Sequence, residues 1–182
     1  VQRHNTVFAF LLMLVIATYA SDVFLTERNI FNLLRQVSGL GIIGMGMLLV
    51  ILTGGIDLSV GSILALGSVL LAHFLQTMDL VPALLLTVGA GIMAGSVSGL
   101  LVSRWKMAPF ITTLAMMTIA RGLAYMISQG SPIFADNDIL NSFGTGYWLG
   151  IPQPVFLMLV VFLLTFLLLR FTAFGRIVMA IG

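Results

Sequence analysis

Between Arg35 and Asp79 the chain carries one ionised side chain, Asp57, and His73 is the only other titratable group there. Asp57 stands inside I-L-T-G-G-I-D-L-S-V-G-S-I-L-A, from Ile51 to Ala65, with long apolar runs on both sides. A carboxylate at the centre of a membrane helix costs about 2.5–3.5 kcal/mol on insertion scales. A chain therefore keeps one at a helix end or puts it to use. Either case implies a break in the helix. Gly54-Gly55 supplies it, because glycine loses the most backbone entropy in a helix and turns readily.

The apolar runs have to face something. The chain is 60% hydrophobic and 8% charged, against about 25% charged in an ordinary soluble domain. A soluble fold of 182 residues cannot hide that much apolar surface, because many side chains must point outward. The expected fold class is all-α, a polytopic membrane helix bundle in a lipid bilayer. The net charge of +2 rests on few groups and contains no basic run, so nothing points to nucleic acid. With no cysteine there is neither a disulfide framework nor thiolate chemistry.

About six spans are expected. Arg3 and His4 precede an apolar run from Val7 to Ala20. That is also the form of a signal peptide, but the reading preferred here is a first span to about Phe24, with Asp22 and Glu27 at its outer end. The second runs from Val37 to Thr53. After a glycine-broken segment, Gly54–Ser59, the third runs from Val60 to about Gln76, with Ser59 as its N-cap. The fourth, Val81 to Ser103, carries Gly91, Gly95 and Gly99 on one helix face, an arrangement that lets helices associate in lipid. Pro109 opens the fifth, Phe110 to Ile127. A polar loop, Ser128 to Gly150, ends in interfacial Tyr147 and Trp148. The sixth follows Pro152 and Pro154 and ends at Leu169. The chain starts at Val1 and stops after a basic segment, and reads as a fragment of a longer membrane protein, with residues 1–182 in one transmembrane domain.

Orientation follows from the basic residues. With the N-terminus inside, Arg3, Arg104, Lys106, Arg170 and Arg176 fall inside, and Arg28 and Arg35 outside. Asp22, Glu27, Asp79, Asp136 and Asp138 also fall outside, and Asp57 lies toward the inner side unless the Gly-Gly break sits deeper and the segment is partly re-entrant.

No catalytic set emerges, and no enzyme activity or cofactor is expected. His4 and His73 lack metal-ligand spacing to any other ligand. There is no G-x-x-x-x-G-K-[ST] phosphate loop, so ATP is not hydrolysed here by that route. Two intramembrane ionisable groups remain. The plainer reading of Asp57 is a solvated turn. The plainer reading of Arg121, 11 residues past Phe110 and about 16 Å along a helix, is snorkelling to the outer headgroups. The functional reading has Gly54, Gly55, Asp57, Ser59, Gly61 and Arg121 lining or bracing one polar pathway.

Three ordered blocks resemble a known family. Gly54 to Ser62 is similar to the signature of sugar-importing ABC permeases of the ribose, xylose and arabinose type. Pro109-Phe110-Ile111-Thr112-Thr113-Leu114 with Ile119-Ala120-Arg121-Gly122 resembles a second family segment, and Phe174-Gly175-Arg176 with Ala180-Ile181-Gly182 a third. Ser98-Gly99 departs from the family pattern, standing where many relatives carry Asn-Gly. The resemblance implies a multi-pass permease subunit of a bacterial inner-membrane importer, passing a monosaccharide to the cytoplasm. Its implied partners are a cytoplasmic ABC ATPase, a periplasmic sugar-binding protein and a second permease subunit. It also implies that Phe174, Gly175, Arg176, Ala180 and Gly182 belong to the segment that docks on the ATPase. Arg170 and Arg176 are otherwise explained as topology-setting basics.

Rival readings are an ABC permease for branched-chain amino acids, an ion-coupled secondary transporter using Asp57, and a non-transporting membrane scaffold built on the glycine face of the fourth span.

Overall fold

A computed structural model describes residues 5–181. Its elements in chain order are α1 (Asn5–Ala20), α2 (Glu27–Leu52), α3 (Val60–Phe74), α4 (Leu80–Ser103), α5 (Pro109–Ser128), α6 (Asp138–Thr145), β1 (Tyr147–Trp148), β2 (Ile151–Pro152), α7 (Gln153–Phe171) and α8 (Ala173–Ile181). The chain is a polytopic helical bundle. By length and composition α2, α4, α5 and α7 are able to cross a membrane, and α1 and α3 are shorter apolar helices.

Local chemistry sets the helix ends. Thr26 caps α2, its hydroxyl accepting from the Asn29 N–H at 3.4 Å, with Glu27 in the first turn, where an acid complements the helix dipole. The helix thus starts ten residues before the expected Val37. The Asn29–Gln36 stretch is helix rather than linker because a cap outside it supports its first turn. Conversely, the first helix stops at Ala20 rather than Phe24. Phe24 donates to the Ser21 carbonyl at 3.1 Å in a turn, and the Asn29 amide donates back to the Phe24 carbonyl at 2.8 Å.

At its other end α2 closes in a Schellman arrangement. Gly54 donates to the Ile51 carbonyl at 2.9 Å and Gly55 to the Val50 carbonyl at 3.2 Å, satisfying two terminal carbonyls. Gly54 sits at φ +75°, which glycine adopts without steric cost. Residues 53–59 lie outside helix. At α5, Ala108 is extended and Pro109 takes the first helical position, as proline restricts its predecessor and fits the first turn.

The expected polar loop from Ser128 to Gly150 contains structure of its own. Asn137 caps α6, accepting from the N–H groups of Ile139 and Leu140 at 3.2 and 3.1 Å. Tyr147 and Trp148 then pair with Pro152 and Ile151 in a two-residue hairpin. Leu149 and Gly150 both have positive φ, +50° and +77°, as the type I′ turn of a tight hairpin requires.

Two packed groups result. α3 packs on α4 and α5, while α2 packs on α7 and α8. A small core of Leu66, Ala120 and Ala124 holds the first group together, with Ile63, Leu70 and Ile127 against it. Most large apolar side chains point outward, Leu85 at 69% and Met126 at 73% exposure among them. In water that surface would drive aggregation; against lipid tails it carries no penalty, and the chain is a multi-pass membrane protein.

Candidate functional site

Asp57 lies in the connection between α2 and α3, half-buried. Its Oδ1 accepts twice from one residue, from the Ser59 N–H at 2.7 Å and the Ser59 hydroxyl at 2.6 Å. This is an Asx-type turn, a short acid folding the backbone onto itself two residues on. It corrects the expectation for Ser59. That residue does occupy the N-cap position of α3, but its backbone is αR and its side chain makes no capping bond. The buried hydroxyl is turned to donate to the Asp57 carboxylate, and with the backbone in the αR region rather than the extended one of an N-cap its oxygen accepts from none of the free N–H groups of α3. Among the described residues Oδ2 of Asp57 has no protein partner.

The connection is also tied to α5. The buried Thr113 hydroxyl lies 2.9 Å from the Pro109 carbonyl and 3.2 Å from that of Ile56, the second bond crossing 57 residues of sequence. Between this connection, the C-terminal part of α4 and the start of α5 lies a cavity of about 440 Å³, within the usual range of about 300–1,000 Å³ for ligand sites. Asp57, Gly95, Ser98, Gly99 and Thr113 are among its walls, and no cationic side chain is. A Cβ on Gly95 or Gly99 would meet nothing within 4 Å, whereas one on Gly91 would reach Ile63 of α3 at 3.9 Å. Of the glycine row, only Gly91 faces a neighbouring helix within this chain; Gly95 and Gly99 open onto the cavity.

The remaining expected residues lie apart. Gly61 is exposed in the first turn of α3. Arg121 is exposed and does not line the cavity; it lies eight residues beyond Thr113 on α5, about 12 Å along the axis. Phe174, Arg176 and Ala180 are exposed on α8, which packs on α2 and α7, and Gly182 lies outside the described residues. Gly175 is buried. A Cβ there would collide with the backbone of Leu169, so the sharp α7–α8 elbow requires glycine. Thr172 forms the joint, its hydroxyl donating to the Leu168 carbonyl at 2.6 Å and accepting from the Gly175 N–H at 3.2 Å.

Sequence reasoning did not place Ser98 or Thr113 at the cavity. Thr113 was visible only as part of a family-like segment, and Ser98 only as a departure from one. It also left Arg35 as a loose outer cation. In the structure Arg35 donates to the Thr145 carbonyl at 3.0 Å and lies over the Tyr147 ring, 4.8 Å from its centroid. That clasp brings the start of α2 to the hairpin, at the opposite end of α2 from Asp57.

Residues 29–182 match the family described as "Branched-chain amino acid transport system / permease component", and the chain belongs to this family. It is 45% identical over 174 residues to the ribose import permease of Bacillus subtilis, covering 94% of this chain and 54% of the relative. It is 38% identical to the ribose import permease of Escherichia coli K12, covering 99% and 58%. It is 35% identical to the L-arabinose ABC transporter permease of Azospirillum brasilense, covering 100% and 54%. The chain thus spans about half the length of the curated relatives it matches. The resemblance to sugar-importing permeases holds along almost the whole chain. No solved structure matches it.

Proposed function

We propose that the chain is part of the membrane permease subunit of an ATP-binding-cassette importer, and that this subunit passes a monosaccharide from a periplasmic binding protein to the cytoplasm. ATP is hydrolysed by a partner subunit. The observation that carries this reading is the agreement of the relatives. Their names specify import of ribose and fructose and transport of L-arabinose and galactofuranose, at 34–45% identity. That agreement favours sugar over branched-chain amino acids, even though the family description names the latter.

In this reading the chain is the N-terminal part of the permease domain and pairs with a second permease subunit in the inner membrane. It crosses six times, through α1 to α5 and α7, with its N-terminus in the cytoplasm. The short α3 completes its crossing with the glycine-broken segment before it. The cavity beside Asp57 then lies toward the cytoplasm. Gly54, Gly55, Asp57, Ser59 and Gly61 border the substrate path, and Arg121 braces its continuation along α5. The Asx turn supports this: it fixes one carboxylate oxygen within the protein and leaves the other for solute or water. The exposed residues of α8, Phe174, Arg176 and Ala180, together with Gly182, dock on the ATPase. Opening alternates as the ATPase pulls on that elbow, a rigid-body rocking of the two packed groups.

The test is uptake of radiolabelled D-ribose in cells lacking their own ribose permease, complemented with the full-length permease and its partner subunits. ATP-dependent accumulation supports the reading. Uptake that persists without ATP and collapses with the ion gradient assigns the protein to secondary transport instead.

A further inference from the structure

Several helical hydroxyls in this chain return their protons to the preceding turn. Ser38 donates to Leu34 at 2.6 Å, Ser68 to Leu64 at 3.0 Å and Thr165 to Val161 at 2.8 Å. Ser98 does not. Its residue is 6% exposed, and its Oγ is buried with no hydrogen-bond partner among the described residues. An unpaired buried hydroxyl is destabilising, and native chains keep few of them. Ser62 and Thr87 also have unpaired buried oxygens, but neither lines the cavity beside Asp57; Ser98 does.

Two residues that each carry an unused polar atom therefore line one cavity. The Asp57 Oδ2 is an acceptor, and the Ser98 Oγ is a donor and acceptor that a χ1 rotation swings among its staggered positions. Gly95 and Gly99, one turn apart on either side of Ser98 along α4, leave the space in front open. No cationic side chain faces the carboxylate from the lining, so the oxygen is not held by a fixed counter-charge. Apolar carbon from Val50, Ile56 and Val102 completes the walls. An acceptor and a donor–acceptor on opposite elements with apolar carbon between them match a small polyol, whose adjacent hydroxyls donate and accept and whose ring face is apolar.

We infer that this cavity is a binding pocket for a single monosaccharide within the permease, with Ser98 and Asp57 engaging hydroxyls of the same sugar. The inference rests on the sugar-permease reading and adds a defined stop, with Ser98 as a binding residue, to what is otherwise an open path. The orphaned hydroxyl is then paired when the pocket is filled.

The chain has no cysteine, so Ser98→Cys places one thiol in the cavity. The full-length permease carrying it is assembled with its ATPase and labelled with a maleimide, with and without 10 mM D-ribose, and the labelled peptide is read by mass spectrometry. His73→Cys, on an exposed residue in the last turn of α3, is the control. The expected result is labelling at Ser98→Cys that D-ribose slows at least about fivefold, with the control unchanged. Labelling indifferent to D-ribose, while the wild-type complex still imports it, overturns the pocket and leaves the transport reading standing. Absence of labelling, or protection by sodium chloride in place of the sugar, also overturns the pocket. A wild-type complex that does not import D-ribose, together with labelling of Ser98→Cys that D-ribose does not slow, defeats both.

Ser98→Ala provides the second readout. A hydroxyl with a structural role only, unpaired as it is, gives on removal a protein equally or more heat-stable with unchanged uptake. The pocket requires equal or higher heat stability with D-ribose uptake reduced at least about fivefold; unchanged uptake overturns it.

Discussion

Arg35 of α2 lies over the ring of Tyr147, its guanidinium carbon 4.8 Å from the centroid, and from there donates to the carbonyl of Thr145. Phe31 meets the same ring edge-on at 5.4 Å. The contact spans more than a hundred residues and joins the beginning of α2 to the hairpin that starts α7. Arg35→Ala removes a charge-assisted hydrogen bond and a cation–π contact, about 1–2 kcal/mol together at this half-buried site. Thermal unfolding in detergent should fall by several degrees. Arg35→Lys recovers only part of it, because an ammonium cannot stack and bond in one plane as guanidinium does. Full recovery by lysine would show that the charge alone matters.

Gly54 ends α2 at φ +75°. Gly54→Ala forces a Cβ into the left-handed region, at about 1–2 kcal/mol. Gly54→Asn should be better tolerated, since asparagine visits that region. The measurement is folded yield and midpoint of heat denaturation for both variants. Equal loss in both would mean that the φ is not what holds the turn.

Gly175→Ala should disturb the α7–α8 elbow, because the new methyl meets the Leu169 backbone. α8 then leaves its seat on α2 and α7. The permease should still insert, while co-purification with its ATPase drops severalfold. Charge reversal at Arg176 distinguishes docking from topology. Loss of the ATPase supports docking, and an intact complex with scrambled insertion supports a topological role.

Much of this was legible in the sequence. All six expected apolar runs fall on helices, with ends displaced by three residues or fewer except at the end of α1 and the start of α2, because hydropathy fixes a helix in lipid without help from packing. Pro109 marked its helix start to the residue. What failed was what depends on distant partners or on competition between local bonds. Ser59 has the composition of a cap, but its αR backbone and a hydroxyl turned toward Asp57, two residues earlier, leave the free helix N–H groups without it. The start of α2 was hidden because polar Asn29–Gln36 resembles a linker until Thr26 is seen to cap it. Gly95 and Gly99 read as a packing stripe, and only the position of α5 shows that they open onto a cavity. Gly175 could be noted as part of a motif, but its steric necessity exists only once α8 folds back on Leu169.

Arg121→Leu tests the extension of the path along α5. If Arg121 braces it, D-ribose uptake is abolished while insertion and ATPase binding persist. Wild-type uptake in the variant would leave Arg121 as a snorkelling side chain and confine the path to the neighbourhood of Asp57.

The central claim is that the protein conducts a monosaccharide past the Asp57 turn while energy comes from another subunit. Proteoliposomes containing the full permease, its ATPase and the binding protein test it directly, by initial rates of D-ribose uptake for wild type and Asp57→Asn under ATP and under imposed ion gradients. Uptake driven by ATP and not by gradients, and at least about tenfold slower in Asp57→Asn, is the predicted result. Gradient-driven uptake without ATP, or an Asp57→Asn variant as fast as wild type, would contradict it.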